Sequence, residues 1–233
     1  MNPVLHRLES VGSTQDRLQE CAQRGDPAGT AVLAAVQTAG RGRRGRTWVS
    51  PRGGLWLSVL CRPDTEPAIE VLSLRVALGV ARVVEQHARH VGIEIKWPND
   101  LMLGGRKLGG ILCESHWQGD TAAWVAVGVG INLQNPVPPD LGAQAVALAE
   151  YSPEVTPDSL APAVAAAVLA ASQIDRTLSP AEVAEFGERD WLKGRAITAP
   201  SRGVADGITA EGLLRVRSEG GQTTLVRSGE IVL

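Results

Sequence analysis

The chain reads as an α+β protein: a large body in which strands and helices mix, followed by a small all-β tail. Apolar or alternating runs at residues 29–37, 55–61, 93–97, 107–115 and 122–133 are bounded by Gly, Pro, Asn or Asp and predict strands. Segments with helical start signals lie between or after them. From residue 195 onward, five short candidate strands, near 196–200, 203–209, 213–218, 223–226 and 230–233, follow one another through Gly-containing turns, which is the pattern of a small β-barrel.

With 233 residues and 44% hydrophobic content, the chain can build one large core and one small one, which excludes disorder. The division predicted is 1–191 and 192–233. A tail of about 40 residues is marginal alone and is expected to pack against the body. Residues 68–90 are apolar almost all round, and Arg75, Gly79, Arg82, Gln86 and Arg89 form a single polar stripe, read as the solvated face of a mostly buried helix. Thr156 followed by Pro157 opens a second helix toward Ile174. Ser179-Pro180-Ala181-Glu182 is a capping box opening a third, through about Trp191.

Acids number 25 against 23 Lys+Arg, a formal net charge of -2, so the molecule as a whole does not attract polyanions and any basic site is local. No run approaches the roughly 20 apolar residues that cross a bilayer, and residues 1–9 lack the apolar core of a secretory signal. A cytoplasmic protein with no membrane partner is expected. Cys21, Cys61 and Cys113 are odd in number, widely spaced and without His at metal-ligand spacing, which fits reduced thiols. Cys61 and Cys113 lie in apolar runs and read as buried structural residues, and His87, His90 and His116 are assigned no chemistry.

Residues 40–46 place four arginines and three glycines in seven positions without one acid. Glycine permits close backbone approach, and the planar guanidinium binds phosphate and carboxylate bidentately, so this loop suits an anion. Mutual repulsion is expected to leave it mobile when empty. Taken alone, it reads equally as an exposed basic turn or a nucleic-acid patch. Lys96-Trp97-Pro98-Asn99-Asp100 ends a strand and turns, and Lys107 follows seven residues after Asp100, ahead of Gly109-Gly110. Two lysines and an aspartate at such a junction can neutralise phosphate and hold Mg2+ or an attacking amine. Alone, they also fit a surface ion-pair cluster.

Taken together, the order of residues 37–48, then Lys96-Trp97-Pro98-Asn99-Asp100, then Lys107-Leu108-Gly109-Gly110-Ile111-Leu112, then Gly128-Val129-Gly130-Ile131-Asn132 closely resembles the biotin-protein ligase family. Ser13-Thr14 near the start and Gly229-Glu230-Ile231 at the end extend the resemblance over most of the chain, with 136–190 matching least. The resemblance implies a body like that of class II aminoacyl-tRNA synthetases, a mixed and mostly antiparallel sheet with helices, and an SH3-like tail. Many members carry an N-terminal helix-turn-helix, whereas Ser13-Thr14 comes too early here for one to fit, so no DNA binding is expected.

By the same resemblance, Ser13, Thr14 and Gln15 meet the ureido ring of biotin with Gln37 beside them. Arg41, Gly42 and Arg43 hold the biotin end and the adenylate, Lys107 holds the biotin carboxylate, and Gly110 and Gly128 leave space. Arg46, Trp48, Lys96 and Asn132 join Arg41 and Arg43 on the ATP side. The implied reaction is formation of biotinyl-5'-AMP from biotin and ATP, then transfer to a lysine of a biotin carboxyl carrier protein. Lys96, Lys107, Arg43 and Mg2+ offset the repulsion between the two anions, and Asp100 orients or deprotonates the acceptor amine, ligands Mg2+ or pairs with Lys96. A sheet edge in the body would allow a homodimer.

Gln15, Gly54 and Trp56 depart from the family pattern, which has Asn, Asn and Tyr at those places. A lipoate-protein ligase shares the fold and the adenylation chemistry, but the arginine cluster and Ser13-Thr14 favour biotin. The alternative from another class is a nucleic-acid binder using the arginine loop and stacked tryptophans.

Overall fold

Seven strands form one mixed sheet in the order β1-β2-β3-β7-β6-β5-β4: β1 (Val4–Leu8), β2 (Thr30–Ala34), β3 (Leu55–Cys61), β4 (Glu94–Lys96), β5 (Asp100–Leu103), β6 (Arg106–Gln118) and β7 (Thr121–Ile131). Only the β1–β2 pairing is parallel; the others are antiparallel. The molecule, a computed structural model, is described over residues 2–62, 69–118, 121–138, 144–173 and 177–233. Among the described residues four α-helices accompany the sheet, α1 (Thr14–Gln23), α2 (Ile69–His87), α3 (Pro157–Ala171) and α4 (Pro180–Arg189). The expected start of the first long helix at residue 68 and the expected end of the second at Ile174 fall outside the described residues.

Side chains alternate across a strand. Leu55, Leu57, Val59 and Cys61 of β3 and Val125, Val127, Val129 and Ile131 of β7 enter the main core, which α2 and α3 complete. On the other face, Leu60 of β3 and Trp124 and Ala126 of β7 pack with Leu18, Cys21 and Ala22 of α1 in a smaller cluster. Helix α1 thus covers only one end of that face. Cys61 is buried, and burial pushes its thiol up to about 11; Cys113 is half-buried where a buried residue was expected, and desolvation raises its thiol too. Both are poor nucleophiles at neutral pH, as expected.

The starts of α3 and α4 follow the sequence signals. Ser179 Oγ accepts from Glu182 N and Ser179 N donates to Glu182 Oε2, at 3.2 and 2.7 Å. Thr156 caps α3 reciprocally with Ser159. Helix α4 stops at Arg189, short of Trp191, because Asp190 is extended and bridges Ile95 of β4.

The polar stripe expected as a solvated face is solvated only in part. Arg75 is only 5% exposed; its Nε donates to Glu182 Oε1 at 2.6 Å and its Nη2 to Thr177 O at 2.7 Å. Arg82 Nε reaches Glu185 Oε1 at 2.8 Å, and an added Cβ at Gly79 would lie 3.4 Å from Ala167 of α3. Arg75 is thus buried and Gly79 half-buried, while Arg82, Gln86 and, beyond the end of α2, Arg89 are exposed as expected. The spacing marked a polar face correctly but could not show that α3 and an acid on α4 would cover its first turns.

After α4 come β8 (Ala196–Ile197), β9 (Gly203–Ile208), β10 (Leu214–Arg217) and β11 (Thr223–Val226), a four-stranded antiparallel sheet in the order β11-β10-β9-β8. The fifth strand expected in the tail is a single bridge, Ala199 to Val232. Ile197, Ala205, Ile208, Leu214, Val216, Val226 and Ile231 belong to the same core as the body. Trp97 Nε1 donates to Gly212 O at 2.9 Å, fixing the tail against the β4–β5 connection.

Burial alone would raise Glu182, but hydrogen bonds from Arg75 and Ser179 hold it below the ordinary 4.5. A lowered carboxyl contributes stability that is complete above its unfolded value and lost as pH falls through its folded one. Arg75→Met is therefore expected to cost about 3 kcal/mol at neutral pH by stranding a buried carboxylate. In urea titrations the gap from wild type should narrow as pH is lowered from neutral into the range below 4.5, where folded Glu182 takes a proton. An equal gap at neutral and acidic pH would contradict this account.

Candidate functional site

The sheet face that α1 leaves open is the floor of a cavity of about 680 Å³. Its floor is kept low by small residues. On β7, Gly128 and Gly130 continue the face begun by Trp124 and Ala126, and Gly110 does the same on β6. A Cβ on Gly128 would lie 3.3 Å from the Gln15 side chain, and one on Gly130 about 2.9 Å from the Trp48 indole.

One end of the cavity is uncharged and is built by the start of α1. Ser13 is the N-cap, yet its hydroxyl makes no cap bond; Gln37 Oε1 instead accepts from Thr14 N at 2.9 Å and from Thr14 Oγ1 at 3.0 Å. Gln37 is fixed in turn by donating to Ser50 Oγ at 2.8 Å, and Thr14 Oγ1 lies 2.8 Å from Ser58 Oγ. Gln37 thus takes the N–H of Thr14, and Ser13 Oγ, which bonds no N–H of the first turn, lies buried without a partner. Gln15 donates to Leu112 O and Ala126 O, and its Oε1 is likewise buried and unpaired. Such orphans in a cavity wall are positions where a polar ligand gains most.

The arginine loop forms the rim. Arg41 bridges Thr47, Gly42 N donates to Arg46 O at 2.8 Å, and Trp48 N to Gly40 O at 2.9 Å, so the loop is a narrow ribbon. A Cβ on Gly40 would come 2.4 Å from Trp48 O, which only glycine avoids. The ribbon turns at Arg44, whose φ of 59° lies in the left-handed region. The repulsion expected among its arginines is offset by separate acceptors: Arg41 pairs with Asp16 and Glu114, Arg43 Nη1 donates to Asn99 Oδ1 at 2.9 Å, and Arg46 pairs with Glu230 of the tail.

The far end carries the lysines. Lys107 Nζ meets Asp100 Oδ1 at 2.8 Å and lies 5.2 Å from the centre of the Trp48 ring. Lys96 pairs in register with Asp100 across β4 and β5, and its Nζ lies 5.1 Å from the Trp191 ring. Burial holds Lys96 below the ordinary lysine value; Asp100 opposes this and Lys107 adds to it. Asn132 closes this end, its Oδ1 accepting from Asn135 Nδ2 at 3.2 Å.

Every site residue named from the sequence lines this one cavity: Ser13, Thr14, Gln15, Gln37, Arg41, Gly42, Arg43, Arg46, Trp48, Lys96, Asp100, Lys107, Gly110, Gly128 and Asn132. Asp100 pairs with Lys107 here, although the two lysines compete for its field. The family model for the "Biotin/lipoate A/B protein ligase family" matches residues 8–132. The chain belongs to this family.

Among relatives of this ligase family, a biotin–[acetyl-CoA-carboxylase] ligase of Paracoccus denitrificans is 36% identical over 219 residues, covering 83% of this chain and 86% of the relative. The bifunctional ligase/repressor BirA of Bacillus subtilis is 38% identical over 149 residues, which are 62% of this chain and only 46% of that protein. The chain thus matches less than half the length of that longer ligase. Among solved structures, the biotin protein ligase of Aquifex aeolicus in complex with biotin and ATP superposes with a TM-score of 0.83 at 26% identity, covering 97% of each chain.

Sequence reasoning missed Asn99, Asn135, Glu230 and Trp191 as wall residues. Asn99 was within a quoted motif; nothing in the sequence marked Asn135 or Trp191. Two of the departures from the ligase pattern prove to be one feature. The Trp56 ring, whose Nε1 donates to Pro51 O at 2.8 Å, fills the space of a side chain at position 54, where a Cβ would lie 2.1 Å from the ring. Gly54→Ala should therefore cost about 1–3 kcal/mol by overpacking. In urea unfolding, Trp56→Val combined with it should lose clearly less than the sum of the two single changes, and strict additivity would separate the pair.

Proposed function

We propose that this chain is an ATP-dependent biotin–protein ligase that activates biotin as biotinyl-5'-AMP and transfers it to a lysine of a biotin carboxyl carrier protein. One observation carries the reading: a single cavity joins an uncharged end, with the unpaired Ser13 Oγ and Gln15 Oε1, to an end where Arg41, Arg43, Lys96 and Lys107 converge. Biotin has that polarity, a ureido ring at one end and a carboxylate at the other. The names of the Paracoccus and Aquifex proteins, with their stated ligands, support the same substrate pair.

A carboxylate acylates an amine only after its oxygen becomes a leaving group. In the first step a biotin carboxylate oxygen attacks the α-phosphorus of ATP, and pyrophosphate departs. Lys107 receives the carboxylate, while Lys96, Arg43 and Arg41 meet the phosphates, with Arg46, Trp48 and Asn132 on the nucleotide side. The burial that depresses Lys96 is relieved when an anion arrives beside it. Mg2+ would neutralise phosphate charge. Among the described residues no cluster of three or more His, Cys, Asp or Glu forms a metal site, so the ion would enter with the nucleotide, with Asp100 the carboxylate at hand.

When the biotin carboxylate takes Lys107, Asp100 loses its 2.8 Å partner and becomes free to accept from the incoming lysine amine. The amine attacks the anhydride carbonyl, AMP leaves, and Asp100 holds the proton released. The Gly40–Trp48 loop closes over the anhydride and excludes water.

Residues 1–191 form the catalytic domain in this reading and 192–233 an SH3-like domain. The β1 edge is where a second copy would pair. The cytoplasm is the proposed compartment, in keeping with the three free cysteines. No helix among the described residues is long and apolar enough to cross a membrane. A nucleic-acid surface is a poorer account, since Arg41, Arg43 and Arg46 are drawn to acceptors on the cavity rim.

Incubation with Mg-ATP and biotin, lipoate or octanoate, followed by mass analysis, should show biotinyl-AMP; lipoyl- or octanoyl-AMP alone would make the chain a lipoate-type ligase. Lys107→Ala should slow adenylate formation by at least about 2 kcal/mol, roughly thirtyfold. Asp100→Asn should form the adenylate and transfer it slowly, whereas loss of the first step would assign Asp100 to the metal or nucleotide.

A further inference from the structure

We infer that Trp191 is a positioning residue for Lys96, holding the ammonium at the phosphate end of the cavity with the face of its indole ring. The inference rests on the ligase reading above. Trp191 lies in the segment between α4 and β8, outside every sequence motif, yet it lines the cavity. Its backbone N–H donates to Ile95 O at 3.1 Å, which fixes the ring against the residue just before Lys96. Lys96 Nζ sits 5.1 Å from the ring centre, within cation–π range.

The ring is itself braced. Arg195 stacks on it with its guanidinium carbon 4.0 Å from the centre, and Arg195 Nε donates to Trp191 O at 2.6 Å. Asp190 Oδ1 accepts from Leu192 N at 2.9 Å, tightening the turn that carries the ring. Packing alone does not explain the choice of tryptophan. Its Nε1 is buried without an acceptor, a penalty that leucine or phenylalanine would avoid. What the site uses is the π face.

Lys96 needs such a hold. Its hydrogen-bonding strand neighbour Asp100 is engaged by Lys107, and Glu230, the other nearby acid, pairs with Arg46. A lysine has four rotatable bonds, and without the ring its ammonium would have no fixed place from which to meet a phosphate. Trp191 therefore links the start of the C-terminal sheet to nucleotide use without touching the reacting atoms.

Biotin-dependent exchange of pyrophosphate into ATP reads this directly. Trp191→Leu is expected to raise KM for ATP about tenfold, while biotin affinity measured without nucleotide is unchanged and Trp191→Phe restores most of the loss. Lys96→Met should show a comparable defect, and the double variant should be no worse than Lys96→Met alone. A wild-type KM in Trp191→Leu, no rescue by Trp191→Phe, or additive losses would overturn the assignment. Should Trp191→Leu fail to fold, NMR of the wild-type protein decides: the Lys96 ε-methylene protons must show an upfield ring-current shift, and ordinary shifts would overturn it. Wild-type protein with no exchange activity would instead strike the ligase reading, because the ring-current shift does not depend on the substrate.

Discussion

Lys107 and Asp100, 2.8 Å apart, are the contact around which the cavity is organised. Four cationic side chains from three separate stretches of chain face one space, and like charges at such range resist being held together. The structure answers with a separate partner for each: Asp100 for Lys107, Asp16 together with Glu114 for Arg41, Asn99 for Arg43, and the Trp191 ring for Lys96. These partners are partly exposed and individually weak. That weakness matters, because a ligand with two anionic groups can replace them without a large penalty.

The rigid half of the arrangement is the sheet. Its inner face shares one core with α2, α3 and the C-terminal sheet, so the strands that carry Lys96, Asp100 and Lys107 cannot shift independently of the tail. The Arg75–Glu182 pair adds to this by tying α2, which backs the sheet, to α4, which leads into the tail. On the other face, Gln37 holds the first N–H of α1 from a distance, and the Ser13 hydroxyl beside it is unpaired. Position and availability of polar groups are thereby set by different segments.

Much of this was legible in the sequence. Strand β3 was read with its observed bounds, and the Ser179 capping box starts α4 as expected, because both signals are local. The site residues converge because motifs of unusual composition are rarely compatible with any other environment. What escaped the sequence was relational. Helix α1 buries only Leu18, Cys21 and Ala22 among its apolar residues, too few to announce a helix, and β1 and β5 are short. Arg75 read as solvated since its acid lies about a hundred residues away. The exchange of volume between Gly54 and Trp56, and the approach of Trp191 to Lys96, depend on side-chain directions that no spacing encodes.

The alternation along β7 carries a lesson for anyone reshaping this protein. Val125, Val127, Val129 and Ile131 look one way, and Ala126, Gly128 and Gly130 look the other. Neighbouring codons thus answer to separate demands, foldedness at the odd numbers and at Ala126, which packs with α1, and ligand size at Gly128 and Gly130. A library confined to those two glycines explores new occupants while sparing the core, and one that randomises the whole strand spends most of its members on chains that never fold.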